Sequence, residues 1–305
     1  MPFVVKTKKE NIMQDIRLGT LVNVNDKTEN YVRQIIPYGF ESFSFIFSGG
    51  FPRKPAEFAE KIMPILKENN IVASSICLYL GETMDEDEAG EKARENWREL
   101  IDSAYLFDCN VVCGFTGRLD KSIPDNIERF KEVWTPLTEQ AAAKGVKIGF
   151  ENCNMGGSWG RGRFNIAINP AAWELMFNAI PLENIGLQWE PCHQMVQLID
   201  PMPQLREWTK RFVHIHGKDA TIHRDTLAKY GFYGTKPFAF HRTPGFGDSN
   251  WTEIISELRR NGFKGSIDIE GWHDPVYRGE LEMTGQVNGL NYLKRCRGDF
   301  YPNPA

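Results

Sequence analysis

Apolar, β-branched and aromatic residues gather in eight short runs. They are RLGTLVN (17–23), FESFSFIF (40–47), IVASSICLY (71–79), NVVCGFTG (110–117), VKIGFEN (146–152), NIGLQWEPCH (184–193), FVHIHGKD (212–219) and GSIDIEGWHD (265–274). Each run has the residue types and length of a buried strand. Amphipathic stretches of helical length lie between them. In EAGEKARENWRELIDSAYLF (88–107), Ala93, Trp97, Leu100, Ile101 and Ala104 fall on one stripe, with Glu and Lys opposite. Pro124-Asp125, Asn169-Pro170 and Ser249-Asn250 carry helix-start chemistry. Asn69-Asn70, Gly145 and Gly262 sit where a helix would stop on a positive φ. Strand then helix, eight times with short returns, predicts an α/β fold: a (β/α)8 TIM barrel in a single domain over 1–305. A doubly wound sheet is the competing α/β reading. It would place a Gly-rich turn after its first strand, and LVNVNDKTEN has no glycine.

One segment, 220–248, is too long for an ordinary loop and reads as a lid-like insertion. TIHRDTLAKYG predicts a short helix, and FYGTKPFAFHRTPGFGDSN is aromatic and glycine-rich, with Phe238 and Phe240 expected against a substrate. Composition adds exclusions. Among 305 residues, 41% are hydrophobic and 25% charged, which is ordinary globular usage. A net charge of −4 gives no electrostatic footprint for nucleic acid. The start, MPFVVKTKKENIMQD, has charges where a signal peptide needs its apolar run, and no segment approaches a membrane span. Six cysteines at 77, 109, 113, 153, 192 and 296 form no CxxC pair and read as reduced thiols of a cytoplasmic protein.

Barrel enzymes build their sites at the carboxyl ends of the strands, and there the chemistry collects. Glu151 closes the fifth run, Glu190 the sixth, His216 the seventh and Glu270 the eighth. Period-two alternation turns Lys147, Gly149 and Glu151 to one face, likewise His214 and His216, and likewise Ser266, Asp268 and Glu270. Three carboxylates and an imidazole in one mouth repel unless a cation sits among them. Such a donor set suits Mn²⁺ first, with Mg²⁺ and Co²⁺ as alternatives. His193, three residues past Glu190, is expected to touch substrate. His214, Lys218, His241 and Arg242 are further substrate-binding candidates, and Trp159 in the loop NCNMGGSWGRGRF could stack on a sugar face.

The second half resembles the xylose-isomerase-like barrel superfamily of sugar isomerases and epimerases. GFEN (149–152), WEPCH (189–193), HIHGKD (214–219), HRTPGFGDSNW (241–251) and IDIEGW (267–272) follow one another as that family's strand-end motifs do. The resemblance implies Glu151, Glu190, His216 and Glu270 as ligands of one divalent metal ion. Glu151 and Glu270 would also be the acid–base pair, and His193 a substrate contact. The implied reaction is proton abstraction beside a sugar carbonyl, through an enediolate, returning the proton elsewhere. Glu190 stands where the family usually has Asp. Gly157 stands where its epimerases carry a second Glu, and His241 or Arg242 replaces an Arg near His216. These departures keep a second reading open, a lyase that cleaves 3-keto C- or O-glycosides by β-elimination. A DNA phosphodiesterase would need more His ligands and a basic surface. Sugar binding without chemistry would show a lost ligand. The expected partner is a small sugar or sugar derivative, with a homo-oligomer or small accessory subunit left open.

Overall fold

The computed structural model describes residues 15–299 together with 301 and 304. The opening MPFVVKTKKENIMQ, which carries the signal-peptide expectation, lies outside the described residues. The described residues form ten strands: β1 (Arg17–Asn23), β2 (Ser42–Ser48), β3 (Val72–Tyr79), β4 (Val111–Gly114), β5 (Lys147–Glu151), β6 (Ile185–Trp189), β7 (Phe212–Gly217), β8 (Asp219–Ile222), β9 (Ala239–Arg242) and β10 (Ser266–Ile269). Eight of them close a barrel in the order β1-β10-β7-β6-β5-β4-β3-β2, every neighbouring pair parallel. The (β/α)8 expectation holds, and each of the eight predicted runs supplies one barrel strand.

The helices form where the stripes predicted them. In the helix Glu88–Ser103, Ala93, Trp97, Leu100 and Ile101 are buried, and the Asp87 side chain accepts from Gly90 N at the first turn. Asn169, Asn250 and Ser122 cap the helices that follow them. Asn70, Gly145 and Gly262 take φ of 56°, 68° and 76° just past helix ends. Trp97 meets Trp134 edge-on at 4.8 Å, and Trp134 meets Phe150 of β5 at 4.5 Å. Pairs of this kind add about 0.5–1.5 kcal/mol beyond area burial. They also fix the outward face of β5, so that alternation aims Glu151 inward.

The barrel interior is filled differently from the usual layers of Val, Ile and Leu. Below the mouth lie Ser42, Ser44, Ser75, Cys77, Cys113, His214 and Asp268, all buried. Gly19 on β1 makes room for them: a Cβ there would sit 2.0 Å from Ser42 O and 2.2 Å from Asp268 Oδ1. All six cysteines are free, five of them buried. No helix among the described residues is long and apolar enough to cross a membrane.

The segment 220–248 is more ordered than its composition suggested. It runs through most of an antiparallel hairpin, β8 with β9, pairing Asp219 with Arg242, around the helix Arg224–Tyr230. Four-residue strands such as DATI and AFHR are too short to show a period, and β8 begins only one residue after β7.

Candidate metal centre in the barrel mouth

Local chain chemistry brings the strand ends together. Asn152 and Glu190 exchange reciprocal hydrogen bonds, Asn152 Nδ2 to Glu190 O and Glu190 N to Asn152 Oδ1, both at 2.8 Å. Asn165 Nδ2 donates to the carbonyls of Glu151 and Cys153 at 2.6 and 2.7 Å. These amides hold the ends of β5 and β6 beside each other. Glu151, Glu190, His216 and Glu270 then each offer one donor atom, all within 4.8 Å of one another. All four are buried.

Around them His193 Nε2 lies 2.5 Å from Glu190 Oε1 and 3.8 Å from Glu151 Oε1. Lys218 Nζ donates to Glu270 Oε1 at 2.7 Å and stands 3.8 Å from Glu190. His273 Nε2 is 3.1 Å from the same Glu270 oxygen. His216 Nδ1 and Glu270 Oε2 stand 3.1 Å apart but out of line for a hydrogen bond. They and Glu190 Oε2 have no hydrogen-bond partner among the described residues. Leaving such atoms buried and unmet costs about 1–3 kcal/mol each. A cation among them would satisfy all three, so this donor set fits a divalent ion that prefers oxygen and one nitrogen.

The electrostatics agree. Burial, with Glu270 and Glu190 beside it, pushes Glu151 up to about 8. Burial also works against charge on His216, but the neighbouring Glu270 and Glu151 outweigh it and hold the imidazole at about 9. Glu270 is desolvated too, yet Lys218, His216 and His273 keep its carboxyl well below the usual range. Burial, Lys218 and His193 bring His241 down to about 4, a neutral imidazole at physiological pH.

The cluster floors a cavity of about 480 Å³. Glu151, His193, His216, Lys218, His241 and Glu270 line it, and Glu190, fully buried, does not. Leu21, Tyr79, Phe115, Met155 and Trp272 supply an apolar wall that the sequence reading missed. Tyr79 was findable, since it ends β3 as Glu151 ends β5.

Three candidates lie elsewhere. His214 sits a layer deeper, its Nε2 2.6 Å from Asp268 Oδ2, and does not reach the cavity. Arg242 turns outward, its Nε donating to Asp274 Oδ2 at 3.1 Å. Trp159 lies off the cavity wall with its ring 41% exposed; its carbonyl accepts from Ile123 N and from the buried Arg118. Gly157 faces the same way: a Cβ there would meet Asn154 O at 3.0 Å and Arg118 Nη1 at 3.4 Å. The missing side chain at 157 therefore adds no room to the cavity. Nor do the hairpin's phenylalanines wall it. Phe238 is buried against Phe232 and Phe240 lies by His223, leaving His241 as the hairpin's contribution.

A parallel (β/α)8 barrel with a carboxylate–imidazole cluster at the carboxyl ends of its strands defines a class of barrel protein. Within it the chain belongs to the xylose isomerase-like TIM barrel family, whose model matches residues 32–296. It is 28% identical over 148 residues to the uncharacterized protein YfiH of Bacillus subtilis (strain 168), a match covering 45% of this chain and 44% of that protein. The aligned region thus spans less than half the length of that curated relative. The fold is similar to that of a xylose isomerase domain protein from Planctomyces limnophilus, with TM-score 0.70 and 17% identity over 92% of this chain and 98% of that one. It is also similar to the 3-keto-D-glucoside 4-epimerase YcjR from E. coli, with TM-score 0.69 and 15% identity over 92% and 100%.

Proposed function

We propose that this protein is a divalent-metal-dependent isomerase or epimerase of an uncharged sugar, with Mn²⁺ as the first-choice ion. The observation that carries the reading is the convergence of Glu151, Glu190, His216 and Glu270, whose donor atoms lie within 4.8 Å of one another, with all but Glu190 lining the cavity. The name of the E. coli neighbour, a 3-keto-D-glucoside 4-epimerase, lies in the same reaction class and supports it. Bound there, the ion would polarise a sugar carbonyl and make the neighbouring C–H more acidic.

The remaining steps belong to the chain. Glu151 and Glu270 have surroundings that push their proton affinities apart, the arrangement that assigns acid and base roles to a pair of carboxyls. Glu270, ionised, removes the proton beside the carbonyl and for an isomerase gives it back to the neighbouring carbon, while Glu151, ionised once an ion is bound, takes the hydroxyl proton and returns it to the former carbonyl oxygen. Lys218 and His193 donate to substrate oxygens, and the apolar wall excludes water. Among the described residues the cavity wall has no arginine, and the charge of its one lysine is offset by Glu270, so Lys218 has N–H groups left for a neutral sugar oxygen but no surplus charge for a phosphate or carboxylate.

The size of the cavity favours a second reading. At about 480 Å³ it falls within the ~300–1,000 Å³ of sites that enclose drug-sized ligands, which leaves space for an aglycone beside the sugar. Proton removal next to a 3-keto group would then expel that group from C1, making the enzyme a lyase. Incubation in D₂O with Mn²⁺, across free ketoses and 3-keto-glycosides, tests both. Metal-dependent deuterium uptake with an epimerised, intact sugar is the expected result. Aglycone release with inert ketoses would replace it by the lyase, and no exchange on any sugar of the panel would remove both.

A further inference from the structure

A buried chain of hydrogen bonds runs beneath the metal cluster and uses residues that the proposed chemistry leaves idle. Asp268 on β10 accepts from Ser42 Oγ at 2.6 Å and Ser74 Oγ at 2.5 Å, and His214 Nε2 lies 2.6 Å from its Oδ2. His214 Nδ1 is 3.0 Å from Gln188 Nε2. At the other end of that amide, Gln188 Oε1 accepts from Tyr79 OH at 2.7 Å. Tyr79 OH is in turn 3.4 Å from His216 Nε2. Asp268, His214, Gln188 and His216 are buried, and Gln188 does not reach the cavity.

Each link has a direction. The Asp268 carboxyl can only accept from its three neighbours if it is ionised, so His214 presents Nε2–H and keeps Nδ1 as an acceptor. The Gln188 amide meets that acceptor with its NH₂ and meets Tyr79 with its carbonyl, and a flipped amide would set its oxygen against the His214 lone pair. Tyr79 spends its one proton on Gln188, so toward His216 its oxygen can only accept. Once His216 is neutral, as a ligand must be, its one proton sits on Nε2, which leaves the Nδ1 lone pair facing Glu151, Glu190 and Glu270.

We infer that Gln188 is a positioning residue: through Tyr79 it holds His216 in the tautomer that can ligate a metal ion. In many metal sites the ligand histidine donates directly to a carboxylate or carbonyl, which fixes its tautomer. Here the carboxylate is four links away, and a neutral amide transmits its polarity. The inference rests on the metal reading for His216, while the state of His214 can be read without any ion.

Two substitutions at one position separate positioning from space filling. Gln188→Leu removes the acceptor, so Tyr79 becomes free to donate to His216 Nε2, and the imidazole proton moves to Nδ1. Mn²⁺ affinity, followed by the electron paramagnetic resonance of free Mn²⁺, should fall about 10–100-fold. Gln188→Glu keeps an acceptor for Tyr79 and should retain the affinity of the unmodified protein. Tyr79→Phe should weaken Mn²⁺ as Gln188→Leu does. Nitrogen-15 spectra of labelled histidine give the proton positions directly. His214 in the metal-free protein, and His216 in the Mg²⁺-loaded protein, should each carry one proton, on Nε2. A proton on Nδ1 of His214 in the unmodified protein would overturn the inference. So would unchanged Mn²⁺ affinity in Gln188→Leu, or an equal loss in Gln188→Glu. If the unmodified protein bound no Mn²⁺ at all, the metal reading would fall instead, and His214 would still decide the direction of the chain.

Discussion

Glu151 and His216 both hold protons that a bound metal ion would have to displace, and this would give the proposed site a pH signature. With Glu151 at about 8 and His216 at about 9, both are protonated below about 8 in the metal-free protein. Each ion bound there should release two protons, so affinity rises with the square of the fall in proton concentration. Between about 8 and 9 only His216 still holds its proton, and the dependence should drop to first order. Isothermal titration in buffers of different ionisation enthalpy counts those protons; a pH-independent affinity would mean that neither residue ligates. The acid–base roles make a second claim at this scale. Glu151→Gln and Glu270→Gln should each lower turnover by about 10²–10⁴-fold while the circular dichroism spectrum is unchanged. Near-normal turnover in either variant excludes that residue from proton transfer. The residues that were legible from sequence are those whose direction follows from alternation on a single strand. Alternation gave the inward direction of His214 but not its depth, and Arg242 and Trp159 were not legible at all, because what claims them lies far along the chain: Asp268, Asp274 and Arg118.

Whole elements were more legible than their contacts. Every barrel strand appears within a few residues of its apolar run, because the strand faces that pack against the helices are apolar even where the inward face is polar. The β8–β9 hairpin escaped notice because neither of its strands is long enough for a period to emerge. Closure of the barrel was legible as an expectation, while what staples the last helix to the first strands was not. Arg297, near the end of the helix Glu282–Arg297, meets both carboxylate oxygens of Glu41 and donates to Ile16 O at 2.8 Å. Glu41 also accepts from Leu18 N at 3.0 Å. Burial would raise the Glu41 carboxyl, but Arg297 outweighs it and holds the group below its ordinary value. A carboxyl lowered in the folded state contributes stability that is present above its unfolded pKa and lost as pH falls through the folded one. Arg297→Met should therefore cost about 1 kcal/mol at pH 7, allowing for partial exposure. The difference from the unmodified protein should shrink as pH falls below the ordinary carboxylate range. Thermal melts at pH 7 and pH 3.5 measure it, and an equal penalty at both would assign the contact to shape alone.

At the scale of the whole molecule, the distribution of charge selects the substrate. The mouth gathers the carboxylates of Glu151, Glu190 and Glu270, and Lys218 offsets one of them. A divalent ion would offset the other two, and the loaded site would then have no net charge with Glu151 ionised and no surplus cation. The cations near its rim are committed elsewhere: Arg161 to Asp120, Arg163 to Asp85 and Arg242 to Asp274. A sugar phosphate entering this cavity would surrender its hydration for no opposite charge, and burying an unpaired anion is among the largest penalties in protein energetics. The overall balance of −4 adds a weak repulsion outside. The expected behaviour is discrimination of at least about tenfold in binding between a neutral ketose or keto-glycoside and its phosphorylated counterpart, a gap of about 1.4 kcal/mol. KM for the neutral substrate should also be nearly flat from low to high ionic strength, since no long-range attraction is there to be screened. Competition by the phosphorylated sugar, measured against deuterium exchange on the neutral one, decides the matter. Tighter binding of the phosphate, lost in high salt, would show that a cation in the molecule reaches the mouth and that the substrate is an anionic sugar.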